Sequence, residues 1–228
     1  MASRATRFAV ARFALVRPGS PQEKMKFILA KKEGMTRIFA EDGRAHAGTI
    51  LVADPIVVTQ VKTKDGKDAY AAVQIGFGAR KTKNIGKAVL GHTKGKGYAA
   101  IREFKTDDVT EVGTTIDAST FAVGDTVRVS GLTKGKGFAG VVKRHGFHGG
   151  PRSHGQKHSE HEAGSIGGSG GRAGGRVAKG IRMAGRMGAD RVTIENLKIL
   201  AVDAKAGKII VSGAVPGHRG TLLEVTSA

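Results

Sequence analysis

The chain has 228 residues, with 38 Lys and Arg against 19 Asp and Glu, for a net charge of +19. It contains no cysteine, which excludes disulfides and thiolate metal sites, and no run of 18 apolar residues, which excludes a helical membrane span. A surface this basic repels itself and attracts phosphate, so the composition points to a polyanionic partner. Hydrophobic residues make up 39% of the chain, below the roughly 45–50% of an ordinary globular domain. A core is therefore expected in only part of the length.

Residues 1–24 carry Arg4, Arg7, Arg12 and Arg17, with Glu23 as their single acid. An Arg-rich, acid-poor start is also the composition of an organellar transit peptide. Pro18 and Pro21 leave room for only a short helix, so the plainer expectation is a disordered basic extension, or a start codon set ahead of Met25. From Lys26 to Ser130 the pattern is one of strands. Phe27–Ala30 is a short apolar run. Met35–Phe39 and Ala47–Val52 flank the turn Glu41-Asp42-Gly43. Ile56–Val61 is β-branched and ends at Lys64-Asp65-Gly66, with Ala69–Ile75 as its expected hairpin partner. Arg80–Lys96 is polar and basic without a firm period. Thr126–Ser130 alternates apolar and polar, as a half-buried strand should.

From Gly131 to Arg191 the character changes. This stretch holds 18 of the 35 glycines and 12 Lys or Arg, but only Glu160, Glu162 and Asp190 as acids. Glycine loses the most freedom on ordering, and the few large apolar groups here cannot offset that loss. The segment is expected to order only against a large, negative partner, and nucleic acid has those properties. Strands then resume: Arg191–Asp203, a turn at Ala206-Gly207, Lys208–Val211, a turn at Pro216-Gly217, and Leu222–Val225. Many short strands between turns predict a mainly β barrel or sandwich. The glycine-rich run reads as an insertion into that one domain, since a connection this long is normally functional or disordered.

Several local patterns compete. Gly135-Lys-Gly-Phe-Ala-Gly140 matches the dinucleotide-binding G-x-G-x-x-G, but the helix expected over Phe138–His145 stops at Gly146 and no second parallel strand follows. What survives is local: a glycine-rich turn opening a short helix, with free N–H groups for phosphate, surrounded by Lys134, Lys136, Lys143 and Arg144. His145, His148, His154, His158 and His161 lie close in sequence; His154, His158 and His161 would share a face of a helix. A zinc site is the alternative reading, but Gly155 interrupts the pattern, so base stacking and phosphate bonding are preferred. Arg172, Arg176, Lys179, Arg182, Arg186 and Arg191 recur every three to five residues among glycines that oppose a helix, which predicts an extended basic arm. Thr93–Ala99 and Thr133–Ala139 share the pattern Thr-Lys-Gly-Lys-Gly-aromatic-Ala, read as two similar basic turns. No nucleophile, base and orienting acid come together, so no enzyme is expected, and no cofactor or metal.

The run Gly135–Phe147 resembles a signature of the large-subunit ribosomal protein three family, bacterial type. Lys32–Phe39, Gly149–Gly155, Gly164–Gly167, Met183–Gly188, Arg191–Leu197 and Gly213–Gly217 are similar to further motifs of that family, in order, from about Met25 to Val225. The resemblance implies a β-barrel body at the ribosome surface and a long extension, about Lys134–Arg186, reaching towards the peptidyl-transferase centre with its tip near Ser165–Gly170. It implies direct binding to large-subunit rRNA near its 3′ end, early in assembly, beside neighbouring ribosomal proteins and in the cytoplasm. Some bacterial members carry a methylated glutamine after the Gly-Ser-Ile-Gly motif. Here Gly168–Arg172 holds none, so that modification is not expected. The division is then 1–24 leader, 25–133 barrel body with a basic loop at 80–96, 134–190 extension, and 191–228 closing strands. The RNA-binding residues expected are Lys134, Lys136, Lys143, Arg144, His148, Arg152, His154, Lys157, Arg172, Arg176, Lys179, Arg182 and Arg186. A nucleic-acid-binding or chaperone-like protein outside the ribosome is the alternative.

Overall fold

The computed structural model describes residues 25–39, 43–66, 68–106, 111–166 and 177–228. The leader, Arg172, Arg176 and the positions Gly167–Gly170 of the expected tip lie outside the described residues. In chain order the strands are β1 (Phe27–Phe39), β2 (Ala45–Val52), β3 (Ile56–Lys62), β4 (Ala72–Ala79), β5 (Tyr98–Phe104), β6 (Thr115–Ile116), β7 (Thr126–Leu132), β8 (Phe138–Ala139), β9 (Gly185–Arg186), β10 (Arg191–Asp203), β11 (Lys208–Ser212) and β12 (Leu222–Ser227). Two short helices, α1 (Lys87–His92) and α2 (Val141–His145), complete the set.

Six strands close an antiparallel barrel in the order β1-β12-β7-β10-β11-β2. Closure leaves no unpaired edge for association. The mainly β class expected from the sequence is therefore present, and of the barrel and the sandwich left open there, these strands form the barrel. Strands β3–β6 lie elsewhere, in a separate sheet ordered β5-β4-β3-β6. The stretch 25–133 is thus a barrel segment, a side sheet and a return to the barrel. Sequence alternation reports that a strand has a buried face, but not which sheet owns it.

The two sheets share one core. Ile28, Val127, Val129, Ile209, Val211, Leu223 and Val225 are buried in the same cluster as Ile56, Val58, Val73, Ile75 and Phe77. This explains why Phe27–Ala30 is buried without alternation. One face of β1 fills the barrel, and the other meets the side sheet, where the Phe27 and Phe104 rings stack at 4.9 Å. Burying one such aliphatic side chain contributes about 1.5–3 kcal/mol. The buried Thr49 hydroxyl donates to the Gly213 carbonyl at 2.7 Å, which removes the cost of an unpaired polar group.

β1 is a single strand of 13 residues with a register shift between Lys32 and Gly34. β10 is equally long and shifts register twice, between Ile194 and Leu197 against β7 and between Ile199 and Ala201 against β11. Asn196, at φ 58°, sits in the first of these bulges. Bulges bend a strand and increase its twist, so β10 can close the barrel at one end and leave it at the other.

Candidate nucleic-acid interface

The arm begins where β7 and β10 outrun the barrel. Their antiparallel register runs from Lys198 opposite Thr126 to Arg191 opposite Leu132. Pairing then continues outward. Thr133 N–H donates to the Asp190 carbonyl at 2.9 Å, Lys136 N–H to Met187 at 2.9 Å, and Met187 N–H to Gly137 at 3.0 Å. β8 lies opposite β9, with Phe138 facing Arg186 and Ala139 facing Gly185. The base of the extension is therefore ordered within the protein, contrary to the expectation that the whole run from Gly131 needs an external partner. A backbone ladder needs no large side chains, so glycine content did not forbid it.

This ladder also decides the glycine-rich motif. Gly135–Gly140 is one arm of a ribbon, and α2 is a single turn of five residues capped by Gly146 at φ 73°. The Lys136 N–H is engaged by Met187 and is not free for phosphate. Gly188 is the return strand's contribution: at φ +76° a Cβ there would run into the Lys134 carbonyl.

The predicted site residues divide by what holds them. Lys134, Lys136, Lys143, Lys157, Lys179, Arg182 and Arg186 are exposed, and among the described residues none has a carboxylate within ion-pair distance. Exposed, unpaired cations carried on the ribbon (Lys134, Lys136, Arg186), on α2 (Lys143) and on the loops beyond it (Lys157, Lys179, Arg182) can neutralise phosphates and release their counterions. His148 and His154 are also exposed. Arg144 is different. It is half-buried and donates from Nη1 to the Met183 carbonyl at 2.7 Å, beside His145 Nε2 at 3.0 Å from the same oxygen. A Cβ at Gly185 would lie 2.8 Å from that guanidinium. Arg144 therefore clamps the outgoing arm to the returning one. Arg152 pairs with Glu160, and Gly150 N–H donates to the Ser159 carbonyl at 3.2 Å, closing the loop between them.

The histidines do not form a helical face. His154 and His158 stand at φ 60° and 63°, in separate bends. Among the described residues no three His, Asp or Glu side chains converge on a point that could hold a metal ion.

Two features were not foreseen. Phe138 is 81% exposed opposite Arg186, and Leu132 and Met183 are also open. An exposed aromatic opposite an arginine has the chemistry to stack on an unpaired base. Alternation would have placed Phe138 outward only if Gly135–Gly140 had been read as a strand. At the foot of the arm, Lys32 donates to the Val215 and Gly217 carbonyls at 2.8 and 3.1 Å. Burial, and then the nearby Lys134 charge, lower its pKa. Arg191, on the same ribbon, is paired with Glu224, which also receives Arg102 of β5 at 3.1 Å. Glu224 thus ties the barrel, the side sheet and the arm base together.

A family model described as ribosomal protein L3 matches residues 26–213. The chain is 47% identical over 205 residues to the large ribosomal subunit protein uL3 of Herpetosiphon aurantiacus, covering 88% of this chain and 95% of that one. It is 46% identical over 212 residues to the protein of the same name from Cutibacterium acnes, covering 91% and 94%. A third, from Dehalococcoides mccartyi, is 47% identical over 199 residues, covering 86% and 95%.

Proposed function

The chain belongs to the ribosomal protein L3 family, and from that premise we propose that it binds large-subunit rRNA through its arm. As a member of this family it is a structural constituent of the ribosome and not an enzyme. In the proposed reading the barrel sits at the surface of the large subunit in cytoplasmic ribosomes, beside other ribosomal proteins. The arm passes between rRNA helices near the 3′ end, joins early in assembly and reaches towards the peptidyl-transferase centre.

The observation that supports this reading is the ribbon and the loops beyond it, with their unpaired cations. Lys134, Lys136, Lys143, Lys157, Lys179, Arg182 and Arg186 take phosphate oxygens, and glycine lets backbone approach RNA closely. Arg172 and Arg176 extend the same series. His148 and His154 bond phosphates or stack on bases. Arg152 contributes once RNA competes with Glu160, while Arg144 shapes the arm that the others decorate. No small molecule or cofactor enters this function.

Binding of the full chain to a large-subunit rRNA fragment, titrated against salt, tests the reading. Affinity is expected to fall about 10³-fold or more between 50 and 200 mM salt, as for about six or more phosphate contacts. Replacing Lys134, Lys136, Lys179 and Arg182 by Gln should flatten that dependence. A salt-independent affinity, or a protein absent from large subunits in a gradient, would contradict it.

A further inference from the structure

A second concentration of positive charge lies on the connection between β4 and β5, in the side sheet and not in the arm. Arg80, Lys81, Lys83, Lys87, Lys94 and Lys96 fall between Arg80 and Gly97, where there is no Asp or Glu. All are exposed, and among the described residues none has a carboxylate within ion-pair distance. Elsewhere on the same sheet the pattern is the reverse. Lys62 meets Glu103 at 3.0 Å and Asp68 at 3.6 Å, and Arg102 meets Glu224 at 3.1 Å. Acids were thus placed against neighbouring cations but kept off this connection.

The connection is also held in one shape. Arg80 N–H donates to the Gly97 carbonyl at 3.0 Å, closing its two ends. A Cβ at Gly97 would collide with the Arg80 carbonyl, so the closure depends on glycine. Thr93 is buried, with Oγ1 3.0 Å from the Val89 carbonyl and 2.5 Å from that of Lys96. Gly95 N–H caps α1 by donating to Leu90 at 2.8 Å, and His92 Nε2 lies 2.6 Å from Gln74 Oε1, which fixes α1 to β4. Charges on a preformed loop bind with less ordering cost than charges on a tail. The repeated Thr-Lys-Gly-Lys-Gly sequence has a different backbone in its two copies, a helix cap at Lys94-Gly95 and a ribbon strand at Lys134-Gly135. Both copies nevertheless set two unpaired lysines around a glycine at the mouth of a strand.

The chemistry of the loop selects its ligand. Its neighbouring aromatic, Tyr98, is packed over Gly76, where a Cβ would come within 2.6 Å of the ring. The loop's one imidazole, His92, is tied through Nε2 to Gln74, and no Phe, Tyr or Trp lies between Arg80 and Gly97 to offer the stacking platform that single-stranded RNA binders use. Five lysines and a single arginine, with no aromatic platform beside them, recognise backbone charge and shape, as in duplex RNA.

We propose that Arg80–Lys96 is a second RNA-binding surface, which takes the phosphate backbone of a duplex segment separate from the RNA around the arm. It draws on the reading above only for the kind of polyanion. Because the chain has no cysteine, Asn84→Cys and, on the arm, Ser153→Cys each give a unique site for a tethered iron chelate that cleaves nearby RNA by hydroxyl radicals. Both full-length variants are assembled with intact large-subunit rRNA. Asn84→Cys is expected to cut a duplex segment that Ser153→Cys does not reach. Replacing Lys81, Lys83, Lys94 and Lys96 together by Gln should keep the melting temperature and arm-directed cleavage, yet reduce the salt slope of binding by about 3. Cleavage from Ser153→Cys with none from Asn84→Cys, or an unchanged slope, overturns the second surface and leaves the arm reading intact. A neighbouring protein over the loop would give that same result. Cleavage from neither position overturns both.

Discussion

The barrel and the arm are continuous through β7 and β10, yet opposite influences hold them. In the barrel those strands bury Val127, Val129 and Ile199, and their hydrogen bonds are shielded by β12 and β11. A few residues further out, the same pair keeps its backbone bonds while most of its larger apolar side chains turn to solvent: Leu132, Phe138 and Val192 are exposed, and only the small Ala139 and, at the start of α2, Val141 are buried. The comparison separates two things that usually travel together. Backbone pairing alone can extend a barrel into a ribbon; only burial makes the result stable without a partner.

Substitutions that distinguish the two regions sharpen this. The largest effect is expected in the shared core. Leu29, fully buried between barrel and side sheet, should lose about 2–5 kcal/mol of stability on Leu29→Ala. Phe138→Ala should change stability by no more than about 0.5 kcal/mol while weakening RNA binding. Chemical denaturation of both variants checks this, and similar losses from the two would erase the distinction. An intermediate effect is expected at Gly188. Gly188→Ala imposes about 1–2 kcal/mol for the left-handed backbone, and the new methyl displaces the Lys134 carbonyl. Amide exchange should quicken at Lys136 and Met187 and stay unchanged in β1.

The smallest effect concerns pH and belongs to the barrel alone. Asp125, at the entry to β7, has its pKa lowered first by the Lys26 ammonium, 2.7 Å away, and then by the Ala122 N–H. A depressed carboxyl stabilises the fold above its unfolded pKa of about 3.9, and that contribution is lost as pH falls through the lower folded value. Asp125→Asn should cost under about 1 kcal/mol at neutral pH and lessen the fall in melting temperature between about pH 5 and 3. An unaltered acid limb would remove this pair from the account.

The strands of the barrel were legible because they obey a local rule. Thr126–Ser130 alternates, and the turns at Gly207 and Gly217 punctuate the closing strands. The side sheet was not separable, because β3 and β4 carry the same alternation as barrel strands and their ownership is a long-range fact. β5 escaped because half-exposed residues from Tyr98 to Arg102 leave little period. α1 escaped because six residues between Gly86 and Thr93 are too few to establish one. In the arm, cation positions were legible and their roles were not. Arg144 and Lys143 are adjacent, but only Arg144 finds the Met183 carbonyl, which lies across the ribbon at a distance in sequence that composition does not report.

Hydrogen exchange on the full chain, with and without large-subunit rRNA, tests the central claim most directly: beyond its base the arm has only scattered protein contacts, such as Arg144 on Met183 and Gly150 on Ser159, and RNA orders the rest. Without RNA, amides of β1, β7 and β12 should be well protected, those of Lys136 and Met187 partly so, and those of residues 151–166 and 177–184 hardly at all. Adding rRNA should slow exchange in the last two segments while leaving the barrel unchanged. If those segments are as protected as β1 in the free protein, or exchange as fast with rRNA as without it, the account is contradicted.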